Sequence, residues 1–463
     1  MNYMERKNLI LILASVGTFV EALDIAIINL TIPSIQQQFA IGAETVQWLQ
    51  TLYVLFFGGF LIIGGKLSDQ IGSKKIFLLG SLIFMLTSLG AGLSTNFETL
   101  AVFRALQGLG AAFIMPSAMS IVTNTFKGDQ ERNRAIGIFS SFAAIGSGSG
   151  LSLGGIISTY LSWHWVFLIN VPVLLITLIF AYQYLPKDGK GTSQKTDITS
   201  GILLVLGLLS LTYGTHELIH IKEQTFEIVS SLILAVLLLA LVFYRLKTAS
   251  QPLINLTLFK HKSLMISNLA FVALGAFFIG FLFLISLMLQ KDMNHNAASA
   301  GLMLVPFSVM SALVAKFVLP HVSKRLNSAQ MGIFGWCFML MGALFLLISV
   351  YFGHPLTLVL VGAACISGIG MTFCFTALSV LGIQDVQPSS YGVAASLGST
   401  SYFLGAGIGL SFMTLMSQIF PSELAVGNLS LIILIGYAVF ALGILFYFIL
   451  KSLKIRQAEI AVS

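Results

Sequence analysis

Residues 17–33 read Gly-Thr-Phe-Val-Glu-Ala-Leu-Asp-Ile-Ala-Ile-Ile-Asn-Leu-Thr-Ile-Pro, an apolar run that carries Glu21 and Asp24 through its middle. Extended over residues 8–32, the run is long enough to cross a hydrocarbon core of about 30 Å as a helix. With a rise of about 1.5 Å per residue, Glu21 lies about 16 Å and Asp24 about 12 Å below the outer end. Residues three apart share a helix face, and ionisable groups do not favour acyl chains. Both acids are therefore expected to point into a protein or water-lined interior, as a site for protons, a cation, or both. Two carboxylates one turn apart repel when both are ionised, so they are expected to titrate as a unit.

The rest of the chain agrees with a membrane reading. Of 463 residues 57% are hydrophobic and 9% charged, against roughly 25% charged in a soluble domain. Residues 1–7 are too short and the following span too long for a cleaved signal, so the first helix is expected to stay in the chain. Apolar runs predict helices at 8–32, 46–66, 76–95, 98–124, 135–158 and 165–185, then 198–217 and 225–246. Six more follow at 263–290, 298–320, 331–352, 355–382, 391–419 and 427–450. The fold class is all-α, a polytopic membrane protein of fourteen transmembrane helices. The expected domains are a first six-helix bundle (1–185), a linker carrying helices seven and eight (186–262), a second six-helix bundle (263–450) and a cytoplasmic tail (451–463).

Charge supports this topology independently. Of 24 Lys and Arg residues, all fall on one side of the fourteen-helix scheme except Lys222 and Lys291 in opposite loops and Arg104 and Lys316 inside helices. Basic loops face the cytoplasm, which places both termini there. The net charge of +7 thus reflects topology, and no nucleic-acid partner is inferred. Cys337, Cys365 and Cys374 all fall in predicted helices, without metal-ligand spacing, and read as small core residues. No Gly-x-x-x-x-Gly-Lys nucleotide loop is present.

Between the second and third helices lies Gly65-Lys66-Leu67-Ser68-Asp69-Gln70-Ile71-Gly72-Ser73-Lys74-Lys75. The glycines are expected to allow a tight turn and close backbone approach. Asp69 is expected to cap the next helix or pair with a basic neighbour. A merely positive loop would explain the lysines but not the Gly, Asp and Gly spacing. This loop resembles the hallmark of the major facilitator superfamily. Residues 23–33, the run Arg104-Ala105-Leu106-Gln107-Gly108-Leu109-Gly110 and the run Trp163-His164-Trp165-Val166-Phe167-Leu168-Ile169-Asn170-Val171-Pro172 resemble its fourteen-helix drug:proton antiporter branch. A degenerate echo of the loop stands near Lys324 and Arg325, as related halves would leave.

The resemblance implies two six-helix bundles around a central cavity that opens alternately to each side, with helices seven and eight outside the transport core. It makes residues Gly65, Asp69, Gly72, Lys74 and Lys75 a cytoplasmic gating loop. Residues 146–155 read Gly-Ser-Gly-Ser-Gly-Leu-Ser-Leu-Gly-Gly, and the resemblance identifies Gly146, Gly150, Gly154 and Gly155 with an antiporter packing signature. The proline usual after the position of Gly150 is replaced by Leu151. Small residues four apart also serve generic helix packing.

Arg104 is expected about 7 Å below the outer end of its helix, within about 5 Å of the depth of Asp24. The residues leave two readings open: an anchor snorkelling to the interface, or a partner that sets the proton affinity of Asp24. The resemblance assigns Arg104 to proton coupling, with Gln107 and Asn29 in supporting places in the cavity. Glu21 is the candidate for recognising substrate charge and Asp24 for proton coupling. The 37 Phe and 16 Met residues would supply an adaptable apolar wall.

One competing motif is His216-Glu217-Leu218-Ile219-His220, which matches the His-Glu-x-x-His pattern of zinc proteases. It falls at a helix end with no third protein ligand nearby, so no metal site is expected. The sequence as a whole predicts a proton-coupled secondary exporter of lipophilic cationic compounds, not an enzyme. It is expected to work without a cofactor, as a monomer, in a bacterial cell membrane. The alternatives are a proton-coupled importer, a dedicated exporter of one endogenous metabolite or lipid, a membrane zinc protease, and a transport-dead sensor.

Overall fold

The structure, a computed structural model, describes residues 3–126, 129–188, 197–220, 223–254, 256–386, 391–420 and 426–462. Within these, the side chains of His216 and His220 lie outside the described set. The described residues are almost wholly helical, as lipid requires of a chain that must satisfy its backbone polar groups internally. Fourteen helices are long and apolar enough to cross a membrane. They are α1 (Glu5–Leu30), α2 (Thr45–Ile71), α3 (Ser73–Gly92), α4 (Phe97–Thr125), α5 (Arg134–Tyr160), α6 (His164–Tyr184), α7 (Ile198–Thr215) and α8 (Thr225–Thr248). The series continues with α9 (Lys262–Asp292), α10 (Ala297–Val322), α11 (Ser328–Tyr351), α12 (Leu356–Ile383), α13 (Val393–Ser417) and α14 (Asn428–Lys451). The chain is a multi-pass membrane protein.

The chain forms two compact units, Met1–Asn255 with Ser286–Ser308, and Leu256–Ile285 with Val309–Ser463. The first unit includes α7 and α8. A Cβ on Gly201 of α7 would lie 1.9 Å from Ile63 Cδ1 of α2, and one on Gly59 of α2 would lie 2.2 Å from Val205 Cγ2 of α7. Each glycine is therefore a hole for the other helix's side chain. Between α7 and α8, Asp197 caps α7 through Ser200 N (3.2 Å) and receives Arg245 Nη2 of α8 at 2.7 Å. Burial alone would raise the pKa of Asp197, but hydrogen bonds from Ser200 and Arg245 outweigh it and leave the carboxyl below its ordinary 3.8.

In the second unit α11 packs against α12 and α14. Trp336 of α11 is fully buried, edge-on to Phe277 of α9 at 5.8 Å. The backbones of α9 and α13 meet where Gly275 faces Tyr402 O, 1.8 Å from a built Cβ.

The structure differs from the sequence expectation at the C-terminal end of the first helix. Its α-helical course ends at Ile27, a 3-10 turn spans Ile28–Leu30, and a separate short helix runs Ile32–Phe39. Asn29 Nδ2 donates to Ile25 O (3.0 Å) and Ala26 O (3.2 Å), and Thr31 Oγ1 donates to Ile28 O (2.8 Å). These side chains take backbone acceptors that a continuing helix would use, and Pro33 restarts the chain in a first turn where its missing N–H costs nothing.

The turn between α2 and α3 is also shorter than expected. Gly65, Lys66 and Asp69 lie in the last turns of α2, and Gly72 alone reverses the chain, at φ +119°. Close approach falls to Gly64, whose Cβ would lie 2.1 Å from Ala112 O, while a Cβ on Gly65 would make only ordinary contact with Pro116 at 3.7 Å.

Candidate functional site

Four helices of the first unit converge on a closed ring of hydrogen bonds. Arg104 of α4 forms an ion pair through Nη1 with Asp24 Oδ2 of α1, both side chains having no exposed surface. The same nitrogen donates to Gln107 Oε1 at 3.0 Å, one helical turn further along α4. Gln107 Nε2 donates to Ser88 Oγ of α3 at 2.8 Å. Asn170 of α6 closes the circuit, its Nδ2 lying 3.1 Å from Asp24 Oδ1 and 3.5 Å from Ser88 Oγ.

Each element is placed there by its own local chemistry. Small residues of α4 let α2 and α3 approach: a Cβ on Gly108 would lie 2.3 Å from Tyr53 O and one on Gly110 2.9 Å from Phe84 N. Arg104 Nε then reaches Leu49 O at 3.3 Å, and the guanidinium lies 4.3 Å from the ring centre of Tyr53 and 5.7 Å from that of Phe167. A charge this deep requires partners of this kind, since removing one member of a buried pair costs about 3–5 kcal/mol.

Glu21 is buried (5% exposed) on the same helix as Asp24 but takes no part in the ring. Among the described residues its Oε2 has no hydrogen-bond partner, and the same holds for Arg104 Nη2, the Tyr53 hydroxyl and the Gln50 amide. The two acids are thus chemically distinct: Asp24 has both oxygens engaged, and Glu21 has one free. Asn29, expected in a cavity, is instead fully buried with its amide turned back on its own helix, and Ser286 Oγ donates to its carbonyl oxygen. Its local role is to end the helix above the acids.

Asp69 does not cap the next helix. That task belongs to Asp188, which accepts from Lys74 N (2.8 Å) and Lys75 N (3.2 Å). In return Lys74 Nζ donates to Tyr182 O (2.6 Å) and Leu185 O (3.0 Å), so the start of α3 and the end of α6 cap one another. The Lys75 side chain is exposed.

The glycines of α5 lie along α1. Built Cβ atoms would stand 2.4 Å from Phe19 O at Gly146, 2.7 Å from Leu23 O at Gly150 and 2.4 Å from Ile27 O at Gly154. The three contacts repeat every four residues on both helices, fixing their register. Gly155 faces the other way, its Cβ position 2.0 Å from Ala297 O, and Gly301 faces Leu151 O at 2.5 Å.

The two histidines of residues 216–220 lie outside the described side chains. The α-helix ends at His216 and Glu217–His220 form a 3-10 turn, which does not hold the helical spacing of the zinc motif. No group of three or more metal-ligating side chains exists among the described residues.

Sequence reasoning missed Tyr53, Ser88, Phe167, Asn170 and Asp188. Phe167 and Asn170 stand inside the 163–172 run and were within reach. Ser88, Tyr53 and Asp188 are ordinary residues in their local context, and only the packing gives them partners.

Comparison with known proteins agrees with this architecture. The family model of the Major Facilitator Superfamily matches residues 14–410. The chain is 28% identical over 413 residues to the multidrug resistance protein Stp of Mycobacterium tuberculosis, covering 89% of this chain and 76% of that protein. It is 32% identical over 412 residues to the cephamycin export protein CmcT of Amycolatopsis lactamdurans, covering 87% and 83%. A crystal structure of a D-xylose–proton symporter superposes with a TM-score of 0.69 at 14% identity, covering 96% of this chain and 97% of the other. The chain belongs to the Major Facilitator Superfamily and is a membrane transporter of small molecules, not an enzyme.

Proposed function

We propose that the protein exports lipophilic cationic compounds in exchange for protons. The observation that carries this reading is the buried Asp24–Arg104 pair with Glu21, one helical turn away, holding an unpartnered oxygen. A proton and the Arg104 guanidinium compete for the same Asp24 carboxylate, so proton binding reorganises the ring that ties α1, α3, α4 and α6. Glu21 is the carboxylate left over to meet a cationic substrate. With two acids, two protons can leave as one monovalent cation enters. Each net charge moved then draws about 2.3 kcal/mol per 100 mV of membrane potential.

The proton gradient is the energy source in this reading and no cofactor takes part. The transporter acts as a monomer, and α7 with α8 stands apart from the transport step. Both termini face the cytoplasm, because the basic loops mark that side. A Cys at exposed Lys75 is then labelled only from the cytoplasm, and labelling from outside reverses the topology.

Uptake of labelled compounds into inverted vesicles under an imposed pH gradient tests the mechanism. Glu21→Gln weakens cationic substrates more than neutral ones, and Asp24→Asn abolishes gradient-driven transport of all of them. Full activity in the double mutant ends the proposal. A second reading, a dedicated exporter of one compound, draws support from the relative named for cephamycin export; transport of a single chemical class across a broad panel distinguishes it.

A further inference from the structure

Protonation of Asp24 leaves a question about Arg104. Its guanidinium stays charged at any physiological pH, and without an anionic partner it becomes an unpaired cation in a membrane interior. The groups that remain are neutral: Gln107 Oε1 at 3.0 Å, Leu49 O at 3.3 Å, and the faces of Tyr53 and Phe167 at 4.3 and 5.7 Å. Tyr53 is fully buried, is edge-on to Phe57 at 6.0 Å, and has its backbone oxygen pressed against Gly108 of α4. The ring is therefore fixed to the helix that carries the arginine. Its hydroxyl has no hydrogen-bond partner among the described residues, so the face of the ring is what it offers.

We propose that Tyr53 is the positioning residue for Arg104, its ring face holding the guanidinium when Asp24 carries the proton. This rests on the reading of Asp24 as the proton site. The negative face of an aromatic ring attracts a cation and repels an anion. In the ion-paired state the carboxylate offsets part of the attraction; once Asp24 is neutral, the full attraction applies to the arginine. The ring therefore favours the protonated state of Asp24 over the ion-paired one. The ionisable group facing Arg104 from α1 is Asp24; Glu21, one turn away on the same helix, makes no hydrogen bond or ion pair with the guanidinium among the described residues. From α3 and α6 the facing groups are Ser88, Phe167 and Asn170, which carry no charge, and α5 has no ionisable side chain between Arg134 and Tyr160.

The test uses the full-length protein reconstituted in lipid bilayers, with the infrared band of protonated carboxyl groups followed against pH and the Asp24 component assigned by Asp24→Asn. Tyr53→Phe retains the ring face and is expected to titrate as the parent does. Phenylalanine carrying one, two and three fluorines at position 53 keeps volume while draining the ring face, and is expected to weaken proton binding at Asp24 stepwise. Tyr53→Leu is expected to weaken it about tenfold, one pH unit. A flat fluorine series, or a Tyr53→Phe change as large as that of Tyr53→Leu, overturns the role of the ring. A titration unchanged in Asp24→Asn overturns the proton site itself and with it the proposed function.

Discussion

Gly72 and Asp188 share one space: a Cβ on Gly72 would lie 2.1 Å from the Asp188 carboxyl carbon, while the carboxylate caps the backbone of Lys74 and Lys75. The glycine of the loop signature is required twice, for φ +119° and for the acid that sits where its side chain would be.

Gly72→Ala is accordingly expected to destabilise the first unit by more than about 2 kcal/mol, combining backbone strain with the loss of a cap. Asp188→Ala loses only the cap, about 1 kcal/mol. Unfolding of the purified protein in mixed micelles measures both. In the double mutant the contacts with the carboxyl group are gone and only that with the Cβ of residue 188, at 2.4 Å, remains, so the two costs do not add. Simple additivity would mean that the two residues do not meet.

Asn170 donates to Asp24 from α6, and no other described side chain serves Asp24 Oδ1. Asn170→Ala is expected to lower stability by about 1.5–3 kcal/mol, the range for a hydrogen bond to a charged group. Asn170→Asp sets a second carboxylate beside the first and is expected to reduce transport at least tenfold at neutral pH. Transport within twofold of the parent in Asn170→Asp would remove Asn170 from the ring.

Gly150 and Gly137 lie on one helix in opposite environments. Gly150→Ala must push α5 from α1, since the new Cβ meets Leu23 O at 2.7 Å and Ala26 Cβ at 2.8 Å. A loss of about 1–3 kcal/mol is expected from such overpacking. Around Gly137 there is nothing within 4 Å, and Gly137→Ala is expected to be neutral or to gain up to about 1 kcal/mol in helix propensity. Equal effects in an unfolding titration would show that the α1–α5 contact is looser than the geometry requires.

The Asp197–Arg245 clamp gives a pH dependence with a definite sign. Asp197 binds its proton less readily in the folded state than in the unfolded one, so its contribution is complete above about pH 4 and is lost as pH falls through the lowered folded value. Spin labels at exposed Thr199 and Tyr244 are expected to report one narrow distance from pH 5 to 8 that broadens in stronger acid. In Arg245→Gln the distribution is expected to be broad throughout; a narrow one would show that helix packing, as at Gly207 of α7 against Leu239 of α8 (built Cβ 3.0 Å from Cδ2), holds the pair without the clamp.

What could be read from the sequence follows from how far each signal travels. Fourteen apolar runs announce themselves residue by residue, and helix ends fell within a few positions wherever loops intervene. The break at Asn29 escaped because it depends on side-chain bonds to Ile25 and Ala26, which apolarity does not register. Asp24, Arg104 and Gln107 were legible because charge and amide groups are conspicuous in lipid. Ser88 and Tyr53 were not, since a serine or tyrosine in a membrane helix is ordinary until a neighbour gives it a partner. Asp188 lies 114 residues from the lysine whose backbone it caps, a distance at which local pattern carries no information.

The glycine ladder between α1 and α5 has a mechanical consequence. Three backbone contacts at four-residue intervals act like teeth of a rack: α1 cannot slide or roll against α5 by less than a full turn without colliding. Glu21 and Asp24 are carried by α1 off the face that meets α5, and so travel with α5 as one beam. Any change in the separation of Asp24 and Arg104 must then come from the arginine's own flexible arm or from displacement of α4 past the beam. Substitutions on α5, which contributes no charge to the site, are for that reason expected to act on proton exchange from behind.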